Sequence, residues 1–264
     1  MRIPNAPNQS PGLRRTRRSP GGSVLPAGAV LAVVLLSSLA CFDSDKTPEP
    51  SPTTASGTPS AGQIVADAGL GSIGDSYYWN LGNGGYDVLH YTIDLIVDME
   101  TGVVTETAVI EAEATQDLGS FNLDYDGPEI DSVVVDGATA SYERTDHELT
   151  VVPQSPLESG DAFEVTVTYS GIPETTENYA GLSIDIGWIV DENGVYVLSE
   201  PNGAATWYPV NDHPRDKATY TFRVTVAEPY VVAANGLLQE TIGDPEPGWG
   251  TYVWEASDPT ANYL

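Results

Sequence analysis

VLHYTIDLIV, residues 88–97, alternates apolar and polar side chains from Tyr91 onward and stops at the turn Glu100-Thr101-Gly102. A period of two sends successive side chains to opposite faces, as in a half-buried strand. The same pattern recurs outward from this stretch. Residues 103–114, 120–123, 130–135, 138–142, 148–152, 163–169, 194–198, 219–226, 231–236 and 251–254 are β-branched or aromatic runs bounded by Gly, Pro, Asp or Asn. No segment sustains an apolar stripe for three helical turns, and no repeat of fixed period is present. Short strands separated by turn signals predict an all-β fold, either a β-sandwich or an open, saddle-shaped sheet assembly. The length beyond about residue 64 suits one domain with its own core.

The amino-terminal part has a different grammar. Residues 1–22 hold Arg2, Arg14, Arg15, Arg17 and Arg18 with no acid, followed by an apolar run from Val24 to Leu36 and then Ser37-Ser38-Leu39-Ala40-Cys41. A basic segment, an apolar segment and small residues at a cut predict an export signal over 1–41. The chain's only cysteine, Cys41, stands where a bacterial lipoprotein signal places the thiol that receives lipid, although Leu39 and Ser38 depart from the usual order. Plain secretion or a retained anchor are the alternatives, and a twin-arginine signal is a minor one. Residues 42–73 begin as a Pro/Ser/Thr-rich stretch, FDSDKTPEPSPTTASGTPSAGQ, with little apolar surface to bury, and are expected to form a disordered linker before a folded domain at 74–264.

The formal charge of the whole chain is −28; residues 1–41 hold five of its ten lysines and arginines and none of its 38 acids, so the remainder carries −33. Such a surface repels nucleic-acid phosphate and anionic lipid, which excludes nucleic acid as a partner and favours solubility outside the cytoplasm.

Few residues offer chemistry. His90, His147 and His213 lie far apart in sequence, and His147-Glu148 opens like the zincin motif but continues as HELTV, with Val151 where the second histidine must stand. His90 is expected to be a structural histidine bonded to backbone. No nucleophile elbow, P-loop or dinucleotide fingerprint is present, and GNGGY at 82–86 reads as a turn. Asp185, Asp191 and Glu192 read as a solvated face. The hexapeptide DHPRDK at 212–217 collects opposite charges in a chain short of cations, and predicts a salt-bridge cluster that fixes a turn. Glu200 differs, because it ends a strand-like run and precedes the turn Pro201-Asn202-Gly203. A carboxylate presented at a rigid strand end suits an ammonium group. Tyr77, Tyr78, Trp79, Trp188, Trp207 and Trp249 offer a weaker alternative, a sugar-binding platform.

GDSYYWNLGNGGYDVLHYTIDL at 74–95, the segment 196–220 and VVAANGLL at 231–238 together resemble the N-terminal domain of the aminopeptidase N-like zinc metallopeptidases, the group that includes leukotriene hydrolase relatives. The resemblance implies a β-rich saddle packed against a thermolysin-like catalytic domain, with Glu200 helping to hold the free α-amino group of a peptide. Asp212, His213, Pro214 and Lys217 match a scaffold motif with no implied catalytic role. In that family H-E-x-x-H and a downstream glutamate supply three zinc ligands and a general base, and G-x-M-E-N supplies a further glutamate for the substrate amine; neither motif occurs in this sequence. The final string ANYL resembles the link into the catalytic domain, so the chain is expected to stop at a domain boundary. The expectation is therefore the substrate-anchoring N-terminal domain of an exported zinc aminopeptidase. It would be inactive alone and without metal in this chain, with zinc, the catalytic domain, a peptide bearing a free N-terminus and a membrane reached through the Cys41 lipid as partners of the parent enzyme. The competing expectation is a complete, lipid-anchored β-sandwich for binding or adhesion.

Overall fold

The computed structural model describes residues 67–145, 147–243 and 247–263. The export signal, Cys41 and the linker up to residue 66 lie outside the described residues. The elements are strands β1 (Asp67–Ala68), β2 (Tyr86–Val97), β3 (Val104–Ala114), β4 (Leu118–Asp124), β5 (Glu129–Val135), β6 (Ala138–Thr139), β7 (Ser141–Thr145), β8 (Glu148–Val152), β9 (Ala162–Gly171), β10 (Thr175–Glu177), β11 (Asp185–Asp191), β12 (Gly194–Leu198), β13 (Ala218–Ala227), β14 (Leu237–Gly243) and β15 (Trp249–Thr260). One 3-10 turn, Ala204–Thr206, accompanies them. The fold is all-β, as the alternation predicts.

Three sheets assemble from these strands. The largest runs β14-β15-β13-β2-β3-β9-β5-β6, a second runs β1-β4-β8-β7, and a third is the meander β10-β11-β12. The decisive stretch 88–97 lies in β2 at the middle of the large sheet. It pairs antiparallel with β3 and parallel with β13, Thr219 standing opposite His90. Its alternation is realised directly: Val88, Tyr91, Ile93, Leu95 and Val97 are buried, while Asp87, Leu89, Asp94 and Ile96 face water. A bulge between Val88 and His90 restores the inward phase for Tyr91. Phe121 from β4 meets Tyr86 and Phe163 from the large sheet with ring centroids 5.9 and 5.4 Å apart. The core therefore lies between the inner faces of these two sheets.

The sequence expectations shift in four places. Residues 138–142 form two strands, β6 in the large sheet and β7 in the four-stranded sheet. The tight turn at Asp136 and Gly137, with φ of 48° and 77°, closes the β5–β6 hairpin, and the chain changes sheet after Ala140. Residues 231–236 make no ladder. Val232 and Ala234 pack against the core instead, and pairing with β15 starts only at Leu237. Strand β11 falls where Asp185 and Asp191 had suggested only a solvated face; those two residues are exposed, but Ile186, Gly187 and Trp188 between them are buried. The fold also takes up Asp67 and Ala68, placed in the linker by composition, as β1 pairs with β4 and Leu70 bridges Gly84.

Candidate functional site

Glu200 follows β12 directly and is exposed, whereas Ser199 before it and Pro201, Asn202 and Gly203 after it are buried. The Glu200–Pro201 peptide is cis. The Gly203 N–H closes the turn on the Ser199 carbonyl at 2.8 Å. A Cβ on Gly203 would meet the Gly187 nitrogen, the Leu198 carbonyl oxygen and the Ser199 Cα at 2.8 Å each, so only glycine lets this turn seat against β11. The backbone of the turn is tied to the β10–β11 connection by Asn178, whose Nδ2 donates to the Glu200 carbonyl at 3.0 Å. The Glu200 carboxylate enters no ion pair among the described residues.

Tyr263 and Ser199, the residue before Glu200, line a cavity of about 520 Å³; Glu200 itself does not line it. Its floor is the inner face of β13, Tyr220, Phe222, Val224 and Val226, with Leu95 and Val97 of β2. Trp188, Tyr196 and Val197 of the β11–β12 hairpin form another wall. Trp207 and Tyr208 also contribute, and a cavity of this kind, mostly apolar with a few amides, suits a hydrophobic occupant. Tyr78 lies within electrostatic reach of Glu200 and Tyr263: burial pushes its phenol up, and Tyr77, Glu200, Tyr263 and Asp75 add to that rise.

The hexapeptide 212–217 is placed differently from the expected salt-bridge cluster. Arg215 and Lys217 are exposed and take part in no ion pair among the described residues, whereas Asp212, His213 and Asp216 are buried. Pro214 is half-buried between them. A fully buried carboxylate must be met by donors or lose its charge. Here amides and backbone N–H groups meet it. Asp212 accepts from Asn262 Nδ2 at 2.7 Å and from the Ala205 N–H at 3.4 Å, while its own N–H donates to Asp124 Oδ2 at 2.7 Å. Asp216 accepts from the Val88 N–H at 3.2 Å and from Asn211 Nδ2. Asn211 Oδ1 accepts from the Asn83 N–H at 2.6 Å, and Asn83 Nδ2 donates to Asp124 at 3.1 Å. The turn is thus braced by an Asn/Asp knot that joins the start of β2, the end of β4 and Asn262. Burial, then the charge of Asp124, holds the Asp212 carboxyl well above the usual range, and burial pushes Asp216 up to about 7.

Each histidine has a structural occupation. His147 is held between two aspartates, its Nδ1 2.6 Å from Asp126 Oδ2 and its Nε2 3.2 Å from Asp124 Oδ1. Burial alone would lower its pKa, but hydrogen bonds and charge from Asp124 and Asp126 outweigh that and raise it to about 11. It is an imidazolium at neutral pH. His213 accepts the Arg215 N–H at Nδ1, 3.2 Å away, so its neutral tautomer carries hydrogen on Nε2, which faces Asp75 at 3.7 Å. His90 contacts the Thr219 hydroxyl at 2.7 Å rather than backbone; that hydroxyl donates to the Leu89 carbonyl at 3.1 Å, so Nδ1 of His90 is the donor in the first contact. With the histidines so engaged, no group of three or more His, Cys, Asp or Glu is arranged to hold a metal among the described residues. The described residues do not fit a zinc site.

The aromatic platform does not assemble. Trp188 and Trp207 face one another inside the core at 6.1 Å, whereas Tyr77 and Trp79 are exposed. Sequence reasoning missed the Asn/Asp knot, because Asn83 sits in a string that reads as a turn, Asn262 in one that resembles a link between domains, and both lie far in sequence from Asn211 and Asp212.

The three sheets, with Glu200 exposed on a tied turn after β12, form an all-β domain. The chain belongs to the peptidase M1 N-terminal domain family, whose model matches residues 88–264. The M1 zinc metallopeptidase from Deinococcus radiodurans is similar, with 32% identity, a TM-score of 0.67, and coverage of 73% of this chain and 43% of that one. A mutant of the Deinococcus radiodurans enzyme bound to a Tyr-Ser-Ala substrate aligns at 32% identity, with a TM-score of 0.67 and coverage of 73% and 44%. Legionella pneumophila aminopeptidase A in complex with aspartic acid shares the fold at 21% identity and a TM-score of 0.58, over 68% of this chain and 20% of that one. No curated protein matches. The chain thus spans under half the length of the solved M1 structures it resembles.

Proposed function

We propose that this chain is the substrate-anchoring N-terminal domain of a zinc-dependent aminopeptidase, with Glu200 binding the free α-amino group of a peptide. The observation that carries the reading is an exposed carboxylate, in no ion pair among the described residues, on a turn tied by Asn178 and next to cavity-lining Ser199, in a chain of the M1 N-terminal family. Zinc and the hydrolytic step belong to a catalytic domain outside this sequence, consistent with the greater length of the solved relatives. Within this chain, Glu200 can accept two or three charged hydrogen bonds from an ammonium group and set the position of the N-terminal residue. The apolar rim and the exposed side chains Tyr196, Val197 and Leu198 of β12 supply surface for the catalytic domain. Export and acylation at Cys41 complete the proposal. Labelling with a radioactive fatty acid tests that part, and a Cys41→Ala chain that still incorporates label removes it.

Glu200→Ala in the full-length product of the reading frame tests the central claim. KM for peptides with a free amino terminus should rise by the equivalent of about 1.5–3 kcal/mol of lost charged hydrogen bonding. Unchanged kinetics would remove Glu200 from the site.

A further inference from the structure

Asn178 and Asn202 exchange hydrogen bonds across two segments of chain. Asn178 lies between β10 and β11, is 8% exposed, donates from Nδ2 to the Glu200 carbonyl at 3.0 Å and accepts the Ala180 N–H on Oδ1 at 2.8 Å. Asn202 is 1% exposed, donates from Nδ2 to the Glu177 carbonyl at 3.0 Å and accepts the Tyr179 N–H on Oδ1 at 3.0 Å. Each site needs a donor and an acceptor on one short side chain, and asparagine supplies both where aspartate supplies only acceptors. Glu200 sits inside this exchange, its backbone gripped and its side chain exposed.

We infer that Asn178 and Asn202 are positioning residues for Glu200, a two-amide clamp that fixes the direction from which its carboxylate meets a substrate amine. The inference rests on the amine-anchor reading of Glu200. Without the clamp the β10–β11 connection and the Glu200 turn would separate, and the carboxylate would sample orientations that lose geometry at an ammonium group. A loop staple with no functional consequence predicts a change in melting temperature alone. A clamp predicts a change in KM that depends on Glu200.

The experiment compares the full-length wild type with Asn178→Asp, Glu200→Ala and their combination, on an aminoacyl anilide with a free amine, alongside thermal melts. Asn178→Asp keeps the acceptor for Ala180 and deletes the donor to Glu200. KM should rise about five- to twentyfold with kcat within about twofold, and the double variant should be no worse than Glu200→Ala. A raised KM for Glu200→Ala beside an unchanged KM for Asn178→Asp overturns the clamp alone. An equal rise from Asn178→Asp in both backgrounds overturns it as well. An unchanged KM for Glu200→Ala sinks the anchor reading, and the clamp's role with it. If Asn178→Asp does not fold, Asn202→Asp deletes the donor on the other side of the exchange and carries the same expectations.

Discussion

At the residue scale, the difference between Glu200 and His147 lies in what neutralises each charge. Glu200 is gripped through its backbone, which leaves the carboxylate available. His147 bonds Asp126 through Nδ1, and its Nε2, 3.2 Å from Asp124 Oδ1, brings a countercharge to Asp124, which is fully buried. Removing one member of a buried ion pair leaves the other uncompensated. His147→Gln should therefore cost about 3–5 kcal/mol in urea unfolding; a cost below about 1 kcal/mol would show that Asp124 is satisfied by Asn83 and the Asp212 N–H alone. The sequence made part of this legible. HELTV alternates like a strand, which ruled out a zincin helix, and its residues from Glu148 onward form β8. The partners of His147 come from the end of β4 and the loop after it, more than 20 residues earlier, and no local pattern announces them.

At the element scale, strand existence was readable wherever one face was buried and the other wet, as in β2, β3, β9 and β13. It failed where that asymmetry vanished. In β14 every residue is exposed, so nothing alternates, and the apolar run 231–236 just before it drew the assignment instead. Gly236 marks the true boundary. It has φ of 93°, and a Cβ there would stand 2.0 Å from the Glu255 carbonyl oxygen, part of the backbone of the pairing partner. Gly236→Ala should detach the start of β14, cost about 1–3 kcal/mol, and accelerate amide exchange over Leu237–Gly243. Unaltered exchange in those amides would mean that β14 does not depend on this close approach. The β11–β12 hairpin was half visible: Gly194–Leu198 was predicted, while Ile186-Gly187-Trp188 was hidden between two acids. Glu200, the proposed amine anchor, lies at the predictable end.

At the scale of the whole molecule, a chain with 38 acids and ten lysines and arginines buries several of its carboxyl groups. Burial raises Glu106 and Asp212 well above the usual carboxylate range, and lifts Glu148 and Asp216 to about 7. A carboxyl raised on folding binds more protons in the native state, so its favourable contribution is present below the unfolded pKa and is lost as pH rises through the folded one. His147, raised to about 11, has the same sign over a higher window. His213, lowered chiefly by burial, opposes them near neutrality, while Asp75 and Asp98, lowered by hydrogen bonds, lose their contribution only in acid. Between pH 5 and 8 the raised groups outnumber His213. Melting temperature should fall from pH 5 to pH 8, with each of Glu148 and Asp216 contributing a slope of up to about 1.4 kcal/mol per pH unit between its unfolded pKa and its folded one of about 7. A flat or rising profile over that range would contradict the raised pKa of these two acids.

The parallel seam between β2 and β13 has a consequence during synthesis. β3 can pair with β2 as soon as it leaves the ribosome, but the opposite edge of β2 must wait for Thr219 and the residues after it. At a usual elongation rate of 5–20 residues per second, that wait lasts roughly 6–25 s. Through that interval a 12-residue strand near the middle of the future sheet stands as a bare edge, with Leu89 and Ile96 on its outer face. A nascent chain stalled before residue 218 presents an adhesive strand, so β13 serves β2 as a cover against aggregation.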